Sequence, residues 1–364
     1  MVDPIVPDYS GACISNVVPA LLEGKAVDWM PSELDIGGPT CLLVLDGLGW
    51  NTFVEHRGVL PNLASLSSAE IRSVVPSSTA SALTSVTTGL TPAEHGLVGY
   101  RMRVAGQLLN VLGWMHPDGG PPPEPDEVQP EMAFLGRPVR VVTRAEFLKT
   151  GYSLASMRGA QLIGWRVTST LVEHCRRLAS ASAEFFYAYY DGIDQVAHRF
   201  GLESEFFLAE LKAADRLVGD LLDALPSNRT LVVVSDHGQV HVGKNGWLST
   251  EGCAEYTAFY SGDGRFRYLH AHPGAEKDLV SAAEETLGAS GWVLSRERLL
   301  DEGWLGATPA KWVLPRLGDV TLAARDPIAY IDPTNLRETN LISAHGSLTA
   351  QEMLVPLLAG PGRG

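Results

Sequence analysis

Basic residues are in short supply: 28 Lys and Arg stand against 42 Asp and Glu, a formal net charge of −14. Such a chain repels a polyphosphate backbone, which excludes binding to a nucleic-acid polymer. A small phosphorylated ligand stays compatible, because bound cations would reverse the sign locally. Cysteine is scarcer still. Cys13, Cys41, Cys175 and Cys253 show no paired spacing and read as reduced, buried thiols. No apolar run approaches the length of a membrane span. The segment Met1 to Asp8 lacks the basic and apolar regions of a signal peptide. A cytoplasmic chain without membrane contact is the expectation.

What is present is a repeated strand-end pattern. Thr40 to Leu45 is an apolar run that ends on Asp46 and a glycine turn; Thr230 to Val234 ends on Ser235, Asp236, His237 and Gly238; a looser version, Glu184 to Tyr190, leads to Asp191 and Asp194. Short continuous apolar runs read as strands of a buried parallel sheet. In open α/β sheets ligands bind beyond the carboxyl ends of the strands, so acids placed there converge on one site. Asp194 and His198 stand at i and i+4, which on a helix puts both on one face. Thr79 and, late in the chain, His345 complete the set. Carboxylates and imidazoles without thiolates suit two catalytic divalent cations, zinc or manganese, better than a closed structural zinc site. One division gives Asp46, Asp236, His237 and Thr79 to the first ion and Asp194, His198 and His345 to the second.

These residues carry a family resemblance. Pro76-Ser77-Ser78-Thr79, leading to Thr88-Gly89-Leu90-Thr91-Pro92-Ala93-Glu94-His95-Gly96, resembles the nucleophile segment of the type I phosphodiesterase/nucleotide pyrophosphatase branch of the alkaline phosphatase superfamily. Asp194 to Gly201 is similar to that branch's Asp-x-x-Gly-His-x-x-Gly, with Ala197 in place of the glycine before the histidine. Asp236-His237-Gly238 and His345-Gly346 match its Asp-His-Gly and final His-Gly. The resemblance covers most of the chain outside one inserted segment, and it implies that Thr79 is the nucleophile of a two-metal phosphodiesterase working through a phospho-threonine intermediate. One departure accompanies it: the third residue after the nucleophile, a phosphate-contacting asparagine in the eukaryotic-type members, is Ala82 here. The chain is also similar to actinobacterial proteins of this superfamily that hydrolyse cyclic di-AMP. That dinucleotide, cleaved to pApA and AMP, is the leading substrate.

The expected fold is α/β, a mostly parallel central sheet flanked by helices, alkaline phosphatase-like, with a small inserted α+β cap. Residues 1–240 and 336–364 form the core and 241–335 the cap, which is the seat of substrate selection. Within the core, Pro117 to Glu127 is a proline-rich loop, and Thr168 to Ala181 and Glu203 to Leu225 have helical periodicity. Tyr100, Arg101 and Asn110 are candidates to frame a base pocket, with ring area for stacking and an amide for a nucleobase edge. Two other readings remain: a phosphonoacetate-hydrolase-like or phosphomonoesterase activity on a small metabolite, and a non-catalytic nucleotide-binding protein.

Overall fold

Thr40–Leu45 is buried along its whole length and forms the middle of a seven-stranded sheet. The strand order is 67–72, 354–361, 230–234, 40–45, 185–190, 140–144, 161–165. The last five are mutually parallel, while Leu354–Pro361 runs antiparallel to both of its neighbours. The computed structural model describes residues 3–364 except 33, 35, 182 and 307.

Period-two alternation explains why both faces are covered. Leu42, Val44, Val232 and Val234 point to one side, where the helices Val17–Glu23 and Thr79–Thr88 pack. Cys41, Leu43, Leu45, Leu231 and Val233 point to the other, against Thr168–Ser180 and Glu205–Ala224. Full burial of a Val or Leu stabilises by about 1.5–3 kcal/mol, and a one-residue slip would exchange the two faces, so the register is strongly specified. Val44 pairs with Tyr189 on one side and Val234 on the other, which brings the residues that follow, Asp46 and Asp236, out at the same level.

A second, six-stranded antiparallel sheet stands over this end, in the order 291–295, 320–324, 266–271, 257–262, 101–104, 107–110. The helix Glu276–Leu287 covers it through Leu279, Ala283 and Leu287. Residues 241–335 supply four of these strands. The other two, Arg101–Val104 and Gln107–Asn110, precede residue 240 and join through the pairing of Gly262 with Arg101. Val240–His241 pairs antiparallel with Ser343–Ala344, which brings the two ends of the intervening stretch together. Arg265, at the turn of the upper sheet, makes a fully buried two-pronged ion pair with Glu352 of the core, at 2.7 and 2.9 Å. Among the described residues no helix is long and apolar enough to cross a membrane.

Candidate active site

Each anticipated acid sits just past a strand of the parallel sheet. Asp46 ends the central strand, and the next residue, Gly47, has φ +80°; a Cβ there would lie 3.0 Å from Asp194 Cα, so only glycine lets this turn approach the Asp194 helix so closely. The helix Gly192–Phe200 begins directly after the 185–190 strand and presents Asp194 and His198 together, with Asp194 Oδ1 3.3 Å from His198 Nε2. Asp236 is held by the amides of Gly47 and His237, which donate to its Oδ1 at 3.1 and 3.0 Å. Tyr189 donates its hydroxyl to Asp46 Oδ2.

The three imidazoles share one device. The Nδ1 atoms of His198, His345 and His237 lie 2.7, 2.8 and 3.0 Å from the carbonyl oxygens of Ser343, Ser77 and Gly238. A carbonyl only accepts, so Nδ1 carries the proton and Nε2 is left with a lone pair aimed inward. His237 Nε2 is 3.0 Å from Thr79 Oγ1, 3.2 Å from Asp236 Oδ2 and 3.4 Å from Asp46 Oδ1. His198 Nε2 and His345 Nε2 are 3.2 Å apart, with Asp194 Oδ1 at 3.3 and 3.7 Å. In the neutral rings these two nitrogens cannot hydrogen-bond to one another, as a metal-ligand pair requires. Asp46 Oδ1 and Asp236 Oδ2 are buried with no hydrogen-bond partner. Lone pairs and carboxylate oxygens converging without donors are the arrangement a divalent cation satisfies, and the donor set fits zinc or manganese.

Donor atoms of Asp194, His198 and His345 lie within 4.8 Å of one another, and so do those of Asp46, Asp194 and His237. The former is the grouping expected for the second ion. In the latter Asp194 joins Asp46 and His237, because the Gly47 turn presses against its helix and sets it between the two groups. Electrostatics follow from this crowding. Burial, then the neighbouring Asp236 and Asp194 carboxylates, drives Asp46 well above the ordinary carboxyl range, and burial and Asp194 push Asp236 up to about 7. Burial pushes His237 down to about 3 and His345 well below the usual imidazole value. Burial also opposes charge on His198, but the Asp194 carboxylate outweighs it and raises that ring.

Thr79 is the first residue of the helix Thr79–Thr88, after Ser78 in extended conformation. The first amides of a helix have no acceptor within it and stand at the positive end of its dipole, a seat for a phosphoryl oxygen. The neighbouring serines are occupied differently: Ser77 is buried and donates to the Ser347 carbonyl at 2.7 Å, while Ser78 lies beside Thr79 on the cavity wall.

Above the site opens a cavity of about 690 Å³, bounded by Thr79, Asp194, His198 and His345. Tyr100 and Asn110 line it and are joined by a 2.8 Å bond from Asn110 Nδ2 to the Tyr100 hydroxyl. Arg101 departs from the expectation of a ligand-reading side chain. Its guanidinium is buried and paired with Asp332, so its charge is neutralised inside the wall. Ala82 is fully buried in the apolar cluster beneath the helix and does not line the cavity, so it offers a phosphate nothing. His95, part of the quoted motif, lies outside the site. Its Nδ1 accepts from the Leu97 amide and its Nε2 meets Ser85 Oγ at 2.9 Å, and burial pushes it down to about 3, which makes it a neutral brace for the turn.

Several cavity residues were missed, Asp263 and Trp247 among them. Asp263 accepts from the Tyr100 amide at 3.2 Å, and burial pushes its carboxyl up to about 7; in sequence, Asp263-Gly264 has the look of an ordinary hairpin turn. Trp247 lies in a segment without strong periodicity. Only a short ribbon with Ala329–Tyr330 places it at the cavity.

Comparison with known proteins supplies the remaining context. Residues 40–118 and 164–348 match the family model described as type I phosphodiesterase / nucleotide pyrophosphatase. The chain is 30% identical over 116 residues to GPI ethanolamine phosphate transferase 3 of Schizosaccharomyces pombe; the match covers 30% of this chain and spans only 12% of that protein's length. Among solved structures, murine ectonucleotide pyrophosphatase / phosphodiesterase 5 superposes with a TM-score of 0.69 at 15% identity, covering 89% of this chain and 88% of the other. An inactive variant of the same murine protein in complex with AMP gives 0.67 at 14% identity, covering 88% and 87%. The human counterpart gives 0.65 at 14%, with the same coverage. These likenesses establish the shared fold.

Proposed function

Since the chain belongs to the type I phosphodiesterase / nucleotide pyrophosphatase family, within the alkaline phosphatase superfamily, we propose that it hydrolyses a nucleotide phosphodiester or pyrophosphate through Thr79 with two divalent cations. The observation that carries this reading is the position of Thr79 Oγ1, 3.0 Å from His237 Nε2, at the start of a helix and beside two buried, partnerless carboxylate oxygens. Asp46, Asp236, His237 and Thr79 would hold one ion and Asp194, His198 and His345 the other, with Asp194 also close to the first group. Two such ions, when bound, favour ionisation of a hydroxyl or water and neutralise charge on the phosphoryl group.

The chain's own groups then have defined tasks. The Thr79 hydroxyl gives its proton to solvent and its oxygen forms a bond to phosphorus; the bond from phosphorus to the leaving-group oxygen breaks, that oxygen takes a proton from solvent, and the phosphoryl group rests on Thr79. Water attacks that phosphorus, the bond to Thr79 breaks, and the hydroxyl is restored. Free amides in the first turn of the Thr79 helix offer donors to a non-bridging oxygen throughout. Tyr100 and Asn110 provide a ring and an amide for a nucleoside. The murine relative solved with AMP supports a nucleotide as ligand. Cyclic di-AMP is the specific substrate to test, and a cavity of about 690 Å³ lies within the roughly 300–1,000 Å³ usual for ligand sites.

The test is turnover by the purified chain, with zinc or manganese, of cyclic di-AMP, linear dinucleotides, dinucleoside polyphosphates, and p-nitrophenyl diester and monoester. Diester cleavage is expected. Release from the monoester alone would overturn the reading. Cleavage of other diesters with cyclic di-AMP untouched would remove only the specific substrate.

A further inference from the structure

Beyond the wall that carries Tyr100 and Asn110, the cavity has a second one. Trp247 and Leu341 form its apolar part, locked together by a 3.3 Å bond from the Trp247 indole to the Leu341 carbonyl. Arg337 lines the cavity one helical turn before Leu341, on the 3-10 segment Leu336–Asn340. This segment is anchored from beneath: Glu338 is ion-paired with the fully buried Arg267 and accepts from Asn335 Nδ2 at 2.8 Å. Arg337 thus projects from a fixed base. Its side chain is exposed and pairs with no carboxylate among the described residues, whereas Arg101, the other arginine of the cavity, is neutralised by Asp332. In a chain of net charge −14, this guanidinium at the cavity wall is held in no ion pair among the described residues and is free to meet a ligand anion.

We propose that the wall of Trp247, Leu341 and Arg337 seats a second nucleotide, with Arg337 holding the phosphate that is not being cleaved. The substrate class is then a dinucleotide bearing two phosphates rather than a simple mononucleotide ester. This rests on the diesterase reading and adds to it where the second half of the substrate sits. An aromatic face for a base and a forked donor for a phosphate are the two elements a nucleotide seat requires.

The experiment compares two linear dinucleotides that differ by one phosphate, pApA and ApA, following cleavage of the internal diester chromatographically with the intact, metal-loaded chain. Wild type is expected to favour pApA at least tenfold in kcat/KM, mainly through a lower KM. Arg337→Ala should reduce that preference at least fivefold, and Arg337→Lys should restore part of it. A wild-type preference near one, or an Arg337→Ala variant that retains the wild-type preference, overturns the proposal. If bis(p-nitrophenyl) phosphate is hydrolysed but neither dinucleotide is, the second seat is wrong and the diesterase reading stands. Hydrolysis of no diester at all overturns both.

Discussion

Replacing Asp236 by Asn should stabilise the metal-free chain while weakening the response to metal. Burial and the Asp194 carboxylate hold Asp236 at about 7 instead of 3.8. Ionising it without a cation therefore costs about 4 kcal/mol, at about 1.4 kcal/mol per tenfold change in proton activity. Because the folded value is raised, the associated stability is fully present below pH 3.8 and is lost as the pH rises through 7. The amide fits the same space. Its Oδ1 can keep the bonds from Gly47 and His237, and its NH2 would stand where Oδ2 lies 3.2 Å from the lone pair of His237 Nε2. Urea unfolding in EDTA should show Asp236→Asn more stable than wild type at pH 8, by up to about 4 kcal/mol, with the gap closing by about pH 4. Zinc or manganese at a thousandfold excess over Kd should stabilise wild type by about 4 kcal/mol per ion and the variant by less. An asparagine variant less stable than wild type in EDTA at pH 8, or equal metal stabilisation of both proteins, would refute this reasoning.

Two further outcomes are expected. Arg265→Ala leaves Glu352 charged and unpaired between the two sheets and should cost about 3–5 kcal/mol in denaturant unfolding; a loss under 1 kcal/mol would show that the pair does not join them. His345→Ala should lower bound metal at saturation from two ions per chain to about one by elemental analysis, and two ions retained would remove His345 from the second group.

Much of this site could be read in the sequence because its parts are local. Apolar runs ending on Asp46 and Asp236 report strands and their carboxyl ends together, and the i, i+4 spacing of Asp194 and His198 needs only one helical turn to become a shared face. The features that escaped depend on long-range contacts. Asp194 belongs between the two groups because Gly47, far away in sequence, allows the turn to close on it. Arg101 looked like a ligand-binding residue, but its partner Asp332 lies 231 positions later. The hairpin 101–110 completes a sheet whose other strands begin at Thr257, a pairing that alternation within either segment cannot announce. Asp263 carries the chemistry of a turn until the fold wraps it against Tyr100.

The central claim is most directly tested by the rate of Thr79→Ala, measured on cyclic di-AMP and on bis(p-nitrophenyl) phosphate with metal at saturation and metal content determined on the same sample. Loss of the Thr79 hydroxyl leaves the carboxylates and imidazoles of both groups, Asp46, Asp194, Asp236, His198, His237 and His345, in place. The variant is therefore expected to keep both ions and to lose at least about a thousandfold in kcat, the scale on which removal of an attacking group acts. Turnover within tenfold of wild type, with both ions bound, would contradict attack by Thr79.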